Sequence, residues 1–166
     1  AMTWVNVKPN AKIAALKTDS IAVTTSFYNI HFIFQKVFGD DMGFVAGKTI
    51  GVNPYGNSVI ANGKYLKENP GVVKNFVKVT QKAYAACAKN ADPCITALMD
   101  ANSGLKRGSS LANWALVKEL MDADSSRNGA IGYFDPARMD ADYKLIEAYF
   151  KLEKPFDIKQ TYRNDF

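Results

Sequence analysis

The chain has 166 residues, 48% hydrophobic, 12% aromatic and 22% charged, with a net charge of +5 at neutral pH. That is enough apolar material for a core, and too little charge for a disordered chain. No apolar run approaches the ~20 residues of a membrane-spanning helix; the longest, Ile30 to Phe38, is interrupted by His31, Gln35 and Lys36.

The basic excess does not point to nucleic acid. Only four of the 21 basic residues are arginines (Arg107, Arg127, Arg138 and Arg163), and the lysines are scattered singly. Backbone tracking and base readout draw on clustered cations. A solvated lysine surface is expected instead, with no nucleic-acid partner.

The opening residues read as alternating short strands and helices. Thr3 to Lys8 has strand character. Pro9 then stands where a helix can start, and Ile13, Ala14 and Leu16 give it an apolar face before Thr18-Asp19-Ser20 breaks it. Ile21 to Thr25 is mostly β-branched and reads as a second strand. Phe27, Ile30, Phe34 and Phe38 recur at helical spacing, and Gly39 closes that helix. Phe44 to Val52 and Tyr55 to Ala61 read as further extended segments on either side of Asn53-Pro54. Strand–helix alternation of this kind predicts an α/β fold with parallel neighbours.

From Asn62 onward the pattern is helix after helix. Asn69-Pro70, Asp92-Pro93 and Asp135-Pro136 each read as a helix start, the Asx residue as cap and proline at the first helical position. The helix after Pro70 carries Val73, Phe76, Val77, Tyr84 and Cys87 on one stripe and Lys74, Lys78 and Lys82 opposite. Leu111 to Met121, with Trp114, is apolar over a wide arc. A break at Ser125-Ser126-Arg127-Asn128-Gly129 precedes the last helix, whose face is Met139, Tyr143, Ile146 and Phe150. Trp4 and Trp114 read as packing residues.

Cys87 and Cys94 are seven positions apart. Two thiols and one histidine are too few ligands for a metal site at this spacing, so no metal is expected. Free thiols buried on helix faces and a bridge across the turn Ala88 to Pro93 both fit.

Four stretches carry a family resemblance: Tyr55-Gly56-Asn57-Ser58-Val59-Ile60-Ala61, Leu66-Lys67-Glu68-Asn69-Pro70, Phe76-Val77-Lys78-Val79-Thr80 and Gly132-Tyr133-Phe134-Asp135-Pro136-Ala137-Arg138-Met139. With the stretch Ala11 to Phe27 and the ending Thr161-Tyr162-Arg163-Asn164-Asp165-Phe166, they span nearly the whole chain. In this order the chain resembles the nitrate/sulfonate/taurine and thiamine-pyrimidine-precursor binding family, the solute-binding proteins of ABC importers. The resemblance implies the C-terminal half of a type II periplasmic-binding-protein fold, with short, mostly parallel strands followed by a helix-rich part. Residues 1–52 would be the remnant of a second α/β lobe. Residues 53–166 would be the return crossing strand and the C-terminal helices of the first lobe.

The same resemblance implies a role outside the cytoplasm, periplasmic in a bacterium with two membranes, with an ABC permease and its ATPase as partners. Capture would be without catalysis and without a cofactor. It also favours the Cys87–Cys94 bridge over free thiols. A lobe face left uncovered would self-associate, so a homodimer or larger assembly is expected. The alternative is an enzyme on the same fold. A pyrimidine-synthase-like enzyme would need a close cysteine cluster that this sequence lacks, and a Cys–His enzyme would have to join His31 to Cys87 or Cys94.

Two groups are candidates for the ligand cleft, because ligands of open α/β sheets gather at strand ends and crossings. The first is Ser26-Phe27-Tyr28-Asn29, where rings can stack on a flat ligand and Ser26 and Asn29 can bond its edge. The alternative is that Phe27 is core and Asn29 caps the next helix. The second is Asn53, Tyr55, Gly56 and Asn57 around Pro54, where Gly56 would allow a backbone shape or close approach that a Cβ would block. The alternative there is an ordinary turn. Neither group holds a basic side chain, which favours a flat heterocycle or aromatic over nitrate or sulfonate. His31 reads as a hydrogen-bonded residue on an apolar helix, Asp135 as a cap, and Arg138 as its partner one turn on.

Overall fold

The computed structural model describes residues 2–123 and 130–166. A 3-10 turn at Pro9–Ala11 leads into α1 (Lys12–Lys17), and a second at Tyr28–Ile30 leads into α2 (His31–Phe38). Then come α3 (Gly63–Glu68), α4 (Pro70–Lys89), α5 (Ala91–Ala101), α6 (Arg107–Ala123) and α7 (Pro136–Tyr149). The sequence-predicted break at Ser125 to Gly129 lies outside the described residues.

Among the described residues there is no strand, so the predicted α/β fold with parallel strands is overturned. The segments Thr3 to Lys8, Ile21 to Thr25 and Tyr55 to Ala61 form no ladder, and Val5, Val23, Val59 and Ile60 stand exposed. β-Branched composition reports fitness for a half-buried pleated surface, and a strand exists only through the neighbour that pairs with it. The fourth predicted strand, Phe44 to Val52, contains a 3-10 turn at Gly47–Ile50. Gly51 closes that turn at φ 81°, and the Val52 N–H donates back to the Gly47 carbonyl at 2.9 Å. A Cβ on Gly47 would stand 2.6 Å from the Val52 carbonyl oxygen. Glycine at both ends makes this a turn, whatever the β propensity between them.

The helices follow the sequence more closely. α1 ends at Thr18, with Asp19 at φ 53°, and α2 ends at Gly39, also at φ 53°. Asp135 caps α7 through the Ala137 and Arg138 N–H groups. At the other two Asx-Pro sites the detail differs. Asn69 precedes Pro70, but its side-chain amide donates backward to the Tyr65 carbonyl at 3.4 Å. α5 starts two residues before Pro93 and is capped by Asn90, whose side chain accepts from the Asp92 N–H. Proline three residues past a cap loses no helical bond, which is why Pro93 does not fix the start. Asp92 is thereby released to pair with Arg107, so the ion pair ties α5 to the start of α6.

α4, α5 and α6 pack side by side. Cys87 near the end of α4 is disulfide-bonded to Cys94 in the first turn of α5, with 5.8 Å between their Cα atoms. Tyr84 of α4 meets Trp114 of α6 with ring centroids 5.8 Å apart. Among the described residues only Phe34, Val73 and Ile95 are buried. Two of the predicted apolar faces are therefore partly bare: Phe76 on α4 and Phe150 after α7 are exposed, as is Trp4.

Asn62 precedes α3 and accepts from two N–H groups, those of Lys64 and Tyr65, at 3.0 and 3.1 Å. Asn62→Ala is expected to cost about 1 kcal/mol, as caps of this kind do. Urea unfolding measures it, and an unchanged midpoint would show that α3 is held by other contacts.

Candidate functional site

The first candidate group lies on the 3-10 turn that enters α2, against α6. The Tyr28 hydroxyl donates to Glu119 Oε1 at 3.0 Å. Its ring stacks on His31 with centroids 5.4 Å apart and planes 22° apart. His31 in turn lies 4.4 Å from the Phe44 ring, and Tyr28 6.0 Å from it. His31 is thus held by two rings, and among the described residues no hydrogen bond to its side chain accompanies them, contrary to the sequence expectation.

The Glu119 carboxylate raises the Tyr28 phenol above its ordinary pKa, first by accepting its hydrogen bond and then, after burial, by its charge. Tyr28 is therefore a neutral donor committed to Glu119 throughout the physiological range. Phe27 is 71% exposed, so it is not core. Asn29 caps neither the turn nor α2, since both caps lack a side-chain bond. Ser26 is exposed and makes only a 3.5 Å contact to the Phe27 carbonyl. Beside this group an open groove runs along α6, lined by Ala115, Lys118, Glu119 and Asp122. Lys118 and Asp122 pair with each other one turn apart.

The second group is joined to α7. Arg138 donates from Nε to the Asn53 carbonyl at 2.7 Å, and from Nη2 to the Pro54 carbonyl at 3.0 Å and Asn53 Oδ1 at 3.3 Å. Its guanidinium lies 3.8 Å from the centroid of the Tyr55 ring. The Tyr55 hydroxyl accepts from the Asp135 N–H at 2.8 Å, and the Tyr55 ring meets Phe134 edge-on at 5.1 Å. Asn164 brackets the backbone of Phe134, accepting from its N–H at 2.9 Å and donating to its carbonyl at 2.8 Å. Nearby on α7, burial pushes the Asp142 carboxyl above its ordinary range, opposed by the Arg138 charge and the Tyr55 backbone N–H.

This arrangement binds segment 53–55 to the start of α7 and to the tail, so Asn53 and Tyr55 spend much of their polar capacity inside the chain. Arg138, read from the sequence as a partner for Asp135, also reaches across to the other segment. The special backbone inferred for Gly56 is absent: its φ is not positive and nothing lies within 4 Å of a Cβ built there. Gly56 and Asn57 are exposed.

Among the described residues no hydrogen bond or ring contact links the first group to the second. Within the groups, Asn53 and Tyr55 share the Arg138 guanidinium, while Phe27, Gly56 and Asn57 stand exposed. Sequence reasoning missed Glu119, Phe44, Phe134 and Tyr162, the last 5.7 Å from Phe134. Phe134 and Tyr162 lie within stretches already marked by the resemblance. Glu119 gave no signal, being one acid on a helix of mixed character. With Cys87 and Cys94 bonded to each other and no free cysteine, a Cys–His nucleophile has no thiol here.

No helix among the described residues is long and apolar enough to cross a membrane. No curated protein and no solved structure matches the chain. The family model described as NMT1/THI5 like matches residues 1–93, which takes in both candidate groups and stops inside α5, short of Asp135 and Arg138. The match extends over more than half of the sequence, and the chain belongs to the NMT1/THI5 like family.

Proposed function

We propose that the chain is the extracytoplasmic capture component of an ABC importer, and that it holds a small, flat, uncharged organic molecule without transforming it. One observation carries the choice of ligand: the ring cluster Tyr28–His31–Phe44 with exposed Phe27 beside it, at the edge of the α6 groove. Ring faces favour a planar solute, while Ser26 and Asn29 offer polar edges. In this reading Asn53, Tyr55, Gly56 and Asn57 would supply a second wall once residues 1–52 and 53–166 close on the solute, the state that would signal the permease. Nitrate or sulfonate fits poorly beside Glu119, because Lys118 already pairs with Asp122. Work in an oxidising compartment agrees with the disulfide.

A thermal-shift series with aminopyrimidines, aromatic acids, taurine and nitrate tests this. A heterocycle at about 100 times its Kd adds roughly 2.7 kcal/mol of stability, and Phe27→Ala together with Tyr28→Ala removes the response. A response to taurine or nitrate alone, or to none of the panel, would overturn the reading.

A further inference from the structure

His31 is the polar side chain of the ring cluster that the rest of the chain leaves unused. Tyr28 stacks on it with centroids 5.4 Å apart, and Phe44 leans on it at 4.4 Å, so two rings hold the imidazole in place. Neither of its nitrogens has a hydrogen-bond partner among the described residues. No buried side-chain nitrogen or oxygen among them lacks a partner, so both nitrogens of half-buried His31 reach solvent.

The other polar candidates are spent or loose. The Tyr28 proton is committed to Glu119. The Tyr55 hydroxyl accepts from Asp135, and the Asn53 oxygens accept from Arg138. Asn29 carries an amide, but among the described residues no hydrogen bond or ring contact orients it. Two other uses of an imidazole lack their partners: the described residues hold no group of three His, Cys, Asp or Glu side chains for a metal, and the two thiols are bonded to each other.

We propose that His31 is the specificity-determining residue of the Tyr28–His31–Phe44 cluster, donating an N–H to a ring nitrogen or carbonyl on the edge of a flat solute. A neutral imidazole carries one N–H and one lone pair, and the bond made by one nitrogen decides which of them holds the proton. With neither nitrogen bonded inside the chain, the solute itself makes that choice. A ring already held by stacking loses little freedom when the bond forms. Planar solutes with an acceptor in or on the ring are therefore selected over rings of the same shape without one. The inference rests on the reading of this cluster as a solute site and adds the group that discriminates among flat solutes.

Calorimetric titration of the full chain with aniline and with aminopyrazine tests it, at about pH 8, where an ordinary imidazole is neutral. The two compounds share size, shape and amino group and differ only in ring nitrogens. The wild type is expected to bind aminopyrazine about 3–10-fold more tightly, as one neutral hydrogen bond allows. His31→Phe keeps a flat ring between Tyr28 and Phe44 and deletes both nitrogens, so it should abolish that preference and leave aniline within about 2-fold. The ring-nitrogen NMR shifts of wild-type His31, expected to move with aminopyrazine and not with aniline, give a readout that needs no substitution. Equal affinity for the two compounds would overturn the proposal and leave the solute site standing. So would a preference that survives His31→Phe, or ring nitrogens that aminopyrazine does not move. Binding of neither compound would overturn the proposal and the solute site together.

Discussion

Arg138→Ala is expected to lower the unfolding free energy by about 2–3 kcal/mol, a large effect for a side chain near the surface. The guanidinium donates to two backbone carbonyls and one side-chain oxygen in segment 53–54, and lies against the Tyr55 ring. Hydrogen bonds to charged groups contribute about 1.5–3 kcal/mol, and a cation on an aromatic face adds roughly 0.5–2. These bonds bridge positions more than eighty residues apart in sequence, so their loss separates two parts of the chain instead of fraying a helix end. Truncation also leaves the Asn53 and Pro54 carbonyls to find water. Arg138→Lys should recover less than half, because an ammonium cannot reach both carbonyls as a planar fork does. Denaturant unfolding of the three proteins decides it. A loss below 1 kcal/mol for the alanine variant would show that segment 53–55 is held by Tyr55 and Phe134 alone.

The second large effect concerns the link between α4 and α5. The Cys87→Ser, Cys94→Ser double variant is expected to lose roughly 2–3 kcal/mol, the loop-entropy value for so short a ring. In a chain of this size that lowers Tm by about 5–10 °C. Ile95, 4% exposed, stands next to Cys94, so the bridge also holds one of the few buried side chains in place. A thiol reductant should shift the wild type by the same amount and leave the double variant unmoved. Equal melting of oxidised and reduced wild type would mean that α4 and α5 are positioned by packing alone.

Helix chemistry was largely legible in the sequence, because its signals are local. Asp135 sits at its cap, the face of α2 turns Phe34 inward, and Gly39 ends the helix at positive φ. Asp92-Pro93 misled by two residues, since Asn90 offered an equally good cap further upstream. The strands were illegible in the opposite sense. Ile21 to Thr25 and Tyr55 to Ala61 have strand composition, but a ladder is a relation between segments, and no single segment encodes its neighbour. Of the candidate site, the rings of Tyr28 and Tyr55 could be picked out. What could not be read was the consumption of Asn53 and Tyr55 by Arg138 and Asp135, or the pairing of Tyr28 with Glu119 across ninety-one positions.

That last bond has a bearing on selectivity. With its proton directed at Glu119, the Tyr28 oxygen faces a visitor with lone pairs alone, and Glu119 adds further electron-rich atoms beside it. Were the proposed solute to settle there it would meet acceptors, so ring systems bearing amino or amide N–H groups would gain over carbonyl-only analogues of the same shape.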